Sequence, residues 1–222
     1  MERNADFEEI SDGKRYKSSD IVKIGCNDCS GCSSCCENMA GLITLDPYDI
    51  DRMLPVISEN KNEAVSILFS KHISLMADRG IIIPTLKMDE NTGRCTFLNE
   101  SNRCSIHNFR SGICRLFPLG RIYEDNGFSY FLQKDECPHE NKTKVKIKNW
   151  LDTRDLAWYE KYICEWHYFV RDLQKYAADS DEDDVRQVNN FFLQIFYLTP
   201  YGQSFYEEFY ERLNKVKALI QG

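Results

Sequence analysis

The segment 26–36, CNDCSGCSSCC, puts five cysteines into eleven residues and ends in an adjacent pair. Nothing else in the chain narrows its fold as much. Thiols so crowded must be bridged, used in redox exchange or given to a metal. Bridging fits poorly: Cys35 and Cys36 are neighbours, with Cα atoms about 3.8 Å apart, whereas a relaxed disulfide needs roughly 4.4–6.8 Å. A thioredoxin-type redox loop uses one C-x-x-C in a βαβ setting; here three overlap, with no such setting. Metal thiolates are the reading that remains.

The compartment points the same way. The N-terminus, MERNADFEEISDGKRYKSSD, has no apolar signal segment. The longest dense apolar run, FFLQIFYL at 191–198, is far too short to span a membrane. The chain is therefore read as cytoplasmic, with no membrane partner. In a reducing compartment clustered cysteines favour metal ligation over disulfides. A length of 222 residues can bury a core without covalent staples. A net charge of −7 lacks the basic balance of a nucleic-acid binder, so no nucleic-acid partner is expected.

Beyond the cysteine loop come Cys95, Cys104, Cys114 and Cys137, each beside a turn: after NTGR, after ESNR, after RSGI and before Pro138. Turns of this kind aim backbone N–H groups at sulfur and offset its charge. Zinc needs four tetrahedral ligands, which Cys29 and Cys32 with Cys95 and Cys104 would supply. The run Cys26, Cys29, Cys32, Cys36 has the spacing of a bacterial ferredoxin segment without its terminal proline. Adjacent side chains diverge, so Cys35 and Cys36 are expected to serve two neighbouring sites. Nine cysteines between 26 and 137 suffice for two four-thiolate sites with one over. Iron–sulfur is preferred to zinc on the excess of thiols and the ferredoxin-like spacing.

Arg94, Arg103, Arg110, Arg115 and Arg121 flank the cysteines, either lowering thiol pKa values or forming an ordinary charged surface. His107, three residues after Cys104, is a candidate ligand but reads first as a turn histidine beside the site, since thiols enough are present. His72, His139 and His167 are read as bland, and Cys164 as a buried free thiol.

Residues 1–25 are expected to be a flexible tail, 26–149 a metal-binding domain and 150–222 a helical unit. Asp46 and Pro47 open a helix that Pro55 ends or kinks. A second amphipathic helix is expected over about 62–77. GIIIPTLKM reads as a strand, and RCTFLNESNRCSIH as a hairpin around NESN. GRIYEDNGFSYFLQ reads as a hairpin turning at Asn126-Gly127. KTKVKIKNW reads as an edge strand guarded by lysines. Three helices follow: a stripe from Tyr159 to Tyr176, a segment capped near Ser180 and running through Leu198, and a stripe from Phe205 to Ile220. Their aromatic faces read as core, with a protein-binding groove as the alternative. The fold class is α+β: a small irregular metal-centred domain with short strands plus a C-terminal helical unit.

CSGCSSCC (Cys29, Cys32, Cys35, Cys36), CTFLNESNRCSIHNFRSGICRLFPL (Cys95, Cys104, Cys114) and Cys137 together resemble the YkgJ-like cysteine-cluster family, a zinc- or iron-chelating domain, over about 26–140. The resemblance implies chelation by those eight cysteines. Cys26 is an extra thiol that could replace Cys29. Arg110-Ser111 stands where the family has Arg-Pro, which implies a looser turn at Cys114. Some members are labelled flagellin lysine N-methylases by similarity, but this chain has no G-x-G-x-x-G loop and no C-x3-C-x2-C run. Three uses stay open: redox or electron transfer through an iron–sulfur cluster, a structural zinc module with a helical partner-binding unit, and a metal-dependent protein-modifying enzyme.

Overall fold

The computed structural model describes residues 6–26, 32–124 and 127–221. The fold is α+β, with three two-stranded antiparallel sheets and a helical C-terminal region.

The first well-capped element is helix α2 (Pro47–Ile57), which follows a single-turn helix α1 (Phe7–Ile10). The Asp46 side chain accepts the Asp49 N–H, and the Asp49 side chain accepts the Asp46 N–H, closing a capping box. Pro47 sits in the first turn, where its missing N–H costs nothing. Pro55 lies inside the helix, two residues before its end. Helix α3 (Lys61–Lys71) starts at Asn60, whose side chain accepts the N–H groups of Asn62 and Glu63 at 3.0 and 3.1 Å. Asn60→Ala should cost about 0.5–2 kcal/mol, read as a shift in the urea midpoint; an unchanged midpoint would mean water replaces the cap.

The expected helix over 62–77 stops at Lys71, and Ile73–Asp78 is instead strand β2, paired with β3 (Ile81–Leu86). The turn explains the change. Arg79 and Gly80 have φ of 50° and 83°, the left-handed pair that a two-residue hairpin of matching twist requires. Strands β4 (Leu119–Glu124) and β5 (Gly127–Leu132) form the expected second hairpin; residues 125 and 126 of its turn lie outside the described residues. The expected hairpin around NESN forms no regular strand. It is a tight loop closed by a single Leu98–Cys104 bridge, with Asn102 at φ 56°.

Residues 6–25, expected as a tail, lie against the body. Strand β1 (Ile21–Gly25) pairs antiparallel with β6 (Thr143–Lys146), the expected lysine-bearing edge. Tyr16 exchanges backbone hydrogen bonds with Tyr130. Val22 and Ile24 alternate inward and join Leu116, Leu119, Tyr130, Ile147 and Leu151 in a second, smaller core.

After the short α5 (Ile147–Leu151), helices α6 (Leu156–Asp179), α7 (Glu182–Leu193) and α8 (Phe205–Gln221) carry the predicted stripes. The helix expected to reach Leu198 ends at Leu193 and widens into a π turn over 194–198. Trp166 stacks on Phe192 at 5.5 Å and meets Phe196 and Phe209 edge-on, the offset and T-shaped contacts aromatic rings prefer. The aromatic faces of these helices are core. One apolar cluster runs unbroken from Ile43 through Phe97 and Ile106 to Val216, so it crosses residue 150. Polar contacts help fix the helices on the rest: the Tyr197 hydroxyl donates to the Leu45 carbonyl at 3.0 Å, and Asn189 accepts the Ile82 N–H at 2.7 Å while donating to the Gly80 carbonyl.

Candidate metal centre

Cys35 and Cys36 lie on a 3-10 turn, Ser34–Cys36, closed by the Cys36 N–H on the Ser33 carbonyl. The backbone then ties the proximal pair to the distal cysteines. The Cys36 carbonyl accepts the Cys95 N–H at 2.8 Å, and the Gly93 carbonyl accepts the Asn38 N–H at 2.7 Å. Gly93 is required there: its φ is +67°, and a Cβ would come 2.4 Å from the Asn38 Oδ1. Cys95 in turn anchors the next loop, its carbonyl accepting the Leu98 N–H at 2.9 Å, while Phe97 accepts the Ser105 N–H. That places Cys104 opposite Leu98.

Cys114 arrives on the five-residue helix α4 (Gly112–Leu116). Ser111, fully buried, caps it by accepting the Cys114 N–H at 3.4 Å. The serine that replaces the expected proline therefore does not leave the turn loose; it fixes it and also hydrogen-bonds the Cys114 sulfur. Asp49 reinforces the position by accepting the Gly112 N–H at 2.6 Å.

Five thiols, Cys35, Cys36, Cys95, Cys104 and Cys114, lie within one another's electrostatic reach. The Cys95 and Cys104 sulfurs accept backbone N–H groups two residues on, from Phe97 and Ile106. This is the turn geometry that offsets thiolate charge. Burial pushes Cys95 and Cys104 up, and Cys114 up to about 12. Cys35 is lowered to about 7, first by the hydrogen bond from Cys36 and further by the Arg110 charge, while the same hydrogen bond raises Cys36. The hydrogen bond within the adjacent pair thus favours ionisation of Cys35 and opposes that of Cys36; a bound cation would favour loss of the remaining protons.

Two of the five flanking arginines serve these thiols: Arg110 and Arg103 favour the Cys104 thiolate, and Arg110 favours Cys35. Arg110 is itself held by His107, donating to its carbonyl at 3.0 Å and lying within 2.9 Å of both ring nitrogens. This makes His107 a support for the site. Arg94 pairs with Asn102. Arg115 and Arg121 instead flank the Tyr159 ring at 5.4 and 5.6 Å, away from the thiols.

The other expected ligands that are described make other contacts. Cys32 donates to the Ser34 hydroxyl at 3.5 Å. Cys26 is buried at the end of β1. The Cys137 carbonyl accepts the Lys142 ammonium at 2.9 Å. Cys29 falls outside the described residues. Cys164 is buried on α6, as expected of a free thiol, and His72 stacks on Phe97 at 4.0 Å. Among the described residues no three His, Cys, Asp or Glu are drawn tightly enough to hold an ion as they stand. The donor set nevertheless fits a thiolate-bound metal: soft ligands in excess of four, N–H groups on the sulfurs and two guanidiniums nearby.

Two supports of this site escape a reading of the sequence. The Asp46-Pro47 cap is legible, but not that Asp49 also holds Gly112, 63 residues away. Nor is it legible that the Tyr162 hydroxyl donates to Asp46 at 3.0 Å, carrying α6 to the same point.

Five cysteine thiols gathered by two joined loops and α4 are the donor set of a metal-chelating class of protein. The chain belongs to the family described as "CxxCxxCC: Putative zinc- or iron-chelating domain", whose model matches residues 28–150, more than half its length. No curated protein and no solved structure matches the chain. No helix among the described residues is long and apolar enough to cross a membrane.

Proposed function

We propose that the chain holds an iron–sulfur centre through cysteine thiolates and uses it in electron transfer. The observation that supports this best is the gathering of five thiols, including an adjacent pair: the loops that carry four of them are joined by backbone hydrogen bonds, and Cys114 comes to them on α4. One zinc closes at four ligands, and five thiols with Cys26, Cys29, Cys32 and Cys137 nearby in sequence exceed that need. In this reading Cys35, Cys36, Cys95, Cys104 and Cys114 form the primary set. Cys32, Cys137 and one of Cys26 and Cys29 complete the ligation. When bound, the cluster supplies a one-electron couple. The chain's own residues set its surroundings: Phe97 and Ile106 donate N–H groups to sulfur, Arg110 and Arg103 balance negative charge, and Ser111 and Asp49 hold Cys114 in place.

The test is metal and sulfide analysis of protein purified without oxygen from cells supplied with iron and zinc. Brown protein with matched iron and sulfide is expected. Colourless protein with zinc and neither iron nor sulfide would replace this reading with a structural zinc centre on the same ligands.

A further inference from the structure

Beside α4 lies a cavity of about 660 Å³, lined by strand β4, the N-terminal arm and α6. Ile113 and Leu116 of α4 line it, while Cys114 between them belongs to the thiol set. Its size falls within the roughly 300–1,000 Å³ typical of small-molecule sites. Much of its wall is apolar, including Ile83, Ile163, Trp166 and Phe131.

Arg121 on β4 gives this cavity its chemistry. Its guanidinium donates to the Tyr159 hydroxyl at 3.2 Å and also bonds the Tyr123 hydroxyl. Both partners are neutral phenols, and Nε has no partner among the described residues. Among the described residues the guanidinium hydrogen-bonds only these phenols and packs on the Phe128 ring at 5.6 Å; its charge reaches the Asp46 carboxyl, but no carboxylate forms an ion pair with it, the partner that normally compensates such a buried charge. Asp46 lines the same cavity but is engaged by the Asp49 N–H and the Tyr162 hydroxyl. Asp78 accepts from Gln174 at 3.2 Å.

We propose that this cavity binds an organic monocarboxylate with an apolar body, its carboxylate on Arg121 and its body along Ile163 and Trp166. A planar carboxylate matches the fork of a guanidinium. A phosphate dianion is disfavoured, because Glu9, Asp46, Asp78 and Glu136 also line the space and offset its four cationic side chains. This inference does not depend on which metal the thiols hold.

Decanoate serves as the probe, with 1-decanol and decyl phosphate as comparisons, titrated by calorimetry into the full chain. Decanoate should bind one to one, about tenfold or more tighter than either comparison, the difference a charge-assisted pair supplies. Arg121→Gln should remove that preference. Because Arg121 is packed between rings, a second variant is needed. Leu42 lines the cavity and is exposed, so Leu42→Glu should fold normally and weaken decanoate by repulsion while leaving decanol unchanged. Decanol binding as tightly as decanoate, or both variants binding decanoate like the wild type, would overturn the proposal.

Discussion

Removing the metal with a chelator should open residues 32–39 and 89–110 to protease while most of the helical signal survives. Structural metal binding is worth about 10–16 kcal/mol in small thiolate domains, as much as the roughly 5–15 kcal/mol that holds a whole domain together. Loss of the metal is therefore a large perturbation, and the architecture decides where it falls. The two loop segments contain only 3-10 turns and isolated bridges. They are joined by few backbone bonds, chiefly Cys36 to Cys95 and Asn38 to Gly93. Cys95, Phe97 and Ile106 tie the second segment to the main apolar cluster, but the bulk of that cluster comes from α2, α3, the β2–β3 hairpin and α6, α7 and α8. Limited proteolysis read by mass spectrometry, beside circular dichroism, tests both halves. Unchanged cleavage after complete metal removal would show that the loops stand on their own packing; collapse of the helical signal would show that the metal organises the whole chain.

Asp49→Ala is expected to be the most damaging single change outside the cysteines. The carboxylate accepts the Gly112 N–H at 2.6 Å and the Asp46 N–H at 3.3 Å, both in the interior. Leaving a buried donor unsatisfied costs about 1–3 kcal/mol each, so about 2–6 kcal/mol should be lost in urea unfolding. Metal content should fall with it, because α4 carries Cys114. Burial pushes the Asp49 carboxyl up to about 8, against the lowering effect of Arg115. The folded protein then holds this proton more tightly than the unfolded one, so the contribution of Asp49 to stability falls as pH rises from about 4 to about 8. Asp49→Asn has no such dependence, and its stability deficit should narrow between pH 5 and pH 8. A deficit that stayed constant over that range would mean the carboxylate is already charged in the folded state.

Much of this arrangement is legible in the residues themselves. Asp46 and Pro47 announce α2, the stripe from Tyr159 onward announces α6, and the turns before Cys95 and Cys104 predict N–H groups at sulfur. Strand β2 is not legible, because Ile73, Leu75 and Ala77 continue an apolar pattern begun in α3. The switch of period depends on Arg79 adopting a left-handed conformation, which an arginine side chain does not advertise. The docking of residues 6–25 is hidden for a related reason: Val22 and Ile24 alternate over only five residues, and their partner strand lies more than a hundred positions on. The roles of Asp49 and Arg121 are set by contacts across long sequence separations, which no local spacing encodes.

The apolar cluster that crosses residue 150 has a bearing on what is inherited and what folds. The family match ends at residue 150, yet Leu45, Met53, Leu54 and Leu68 share one apolar cluster with side chains that come after it. The evolutionary unit and the cooperative unit therefore have different borders. A gene fragment cut at the border of the shared stretch would expose a greasy face that no metal could cover. In this chain the helices beyond it supply the other half of that apolar face.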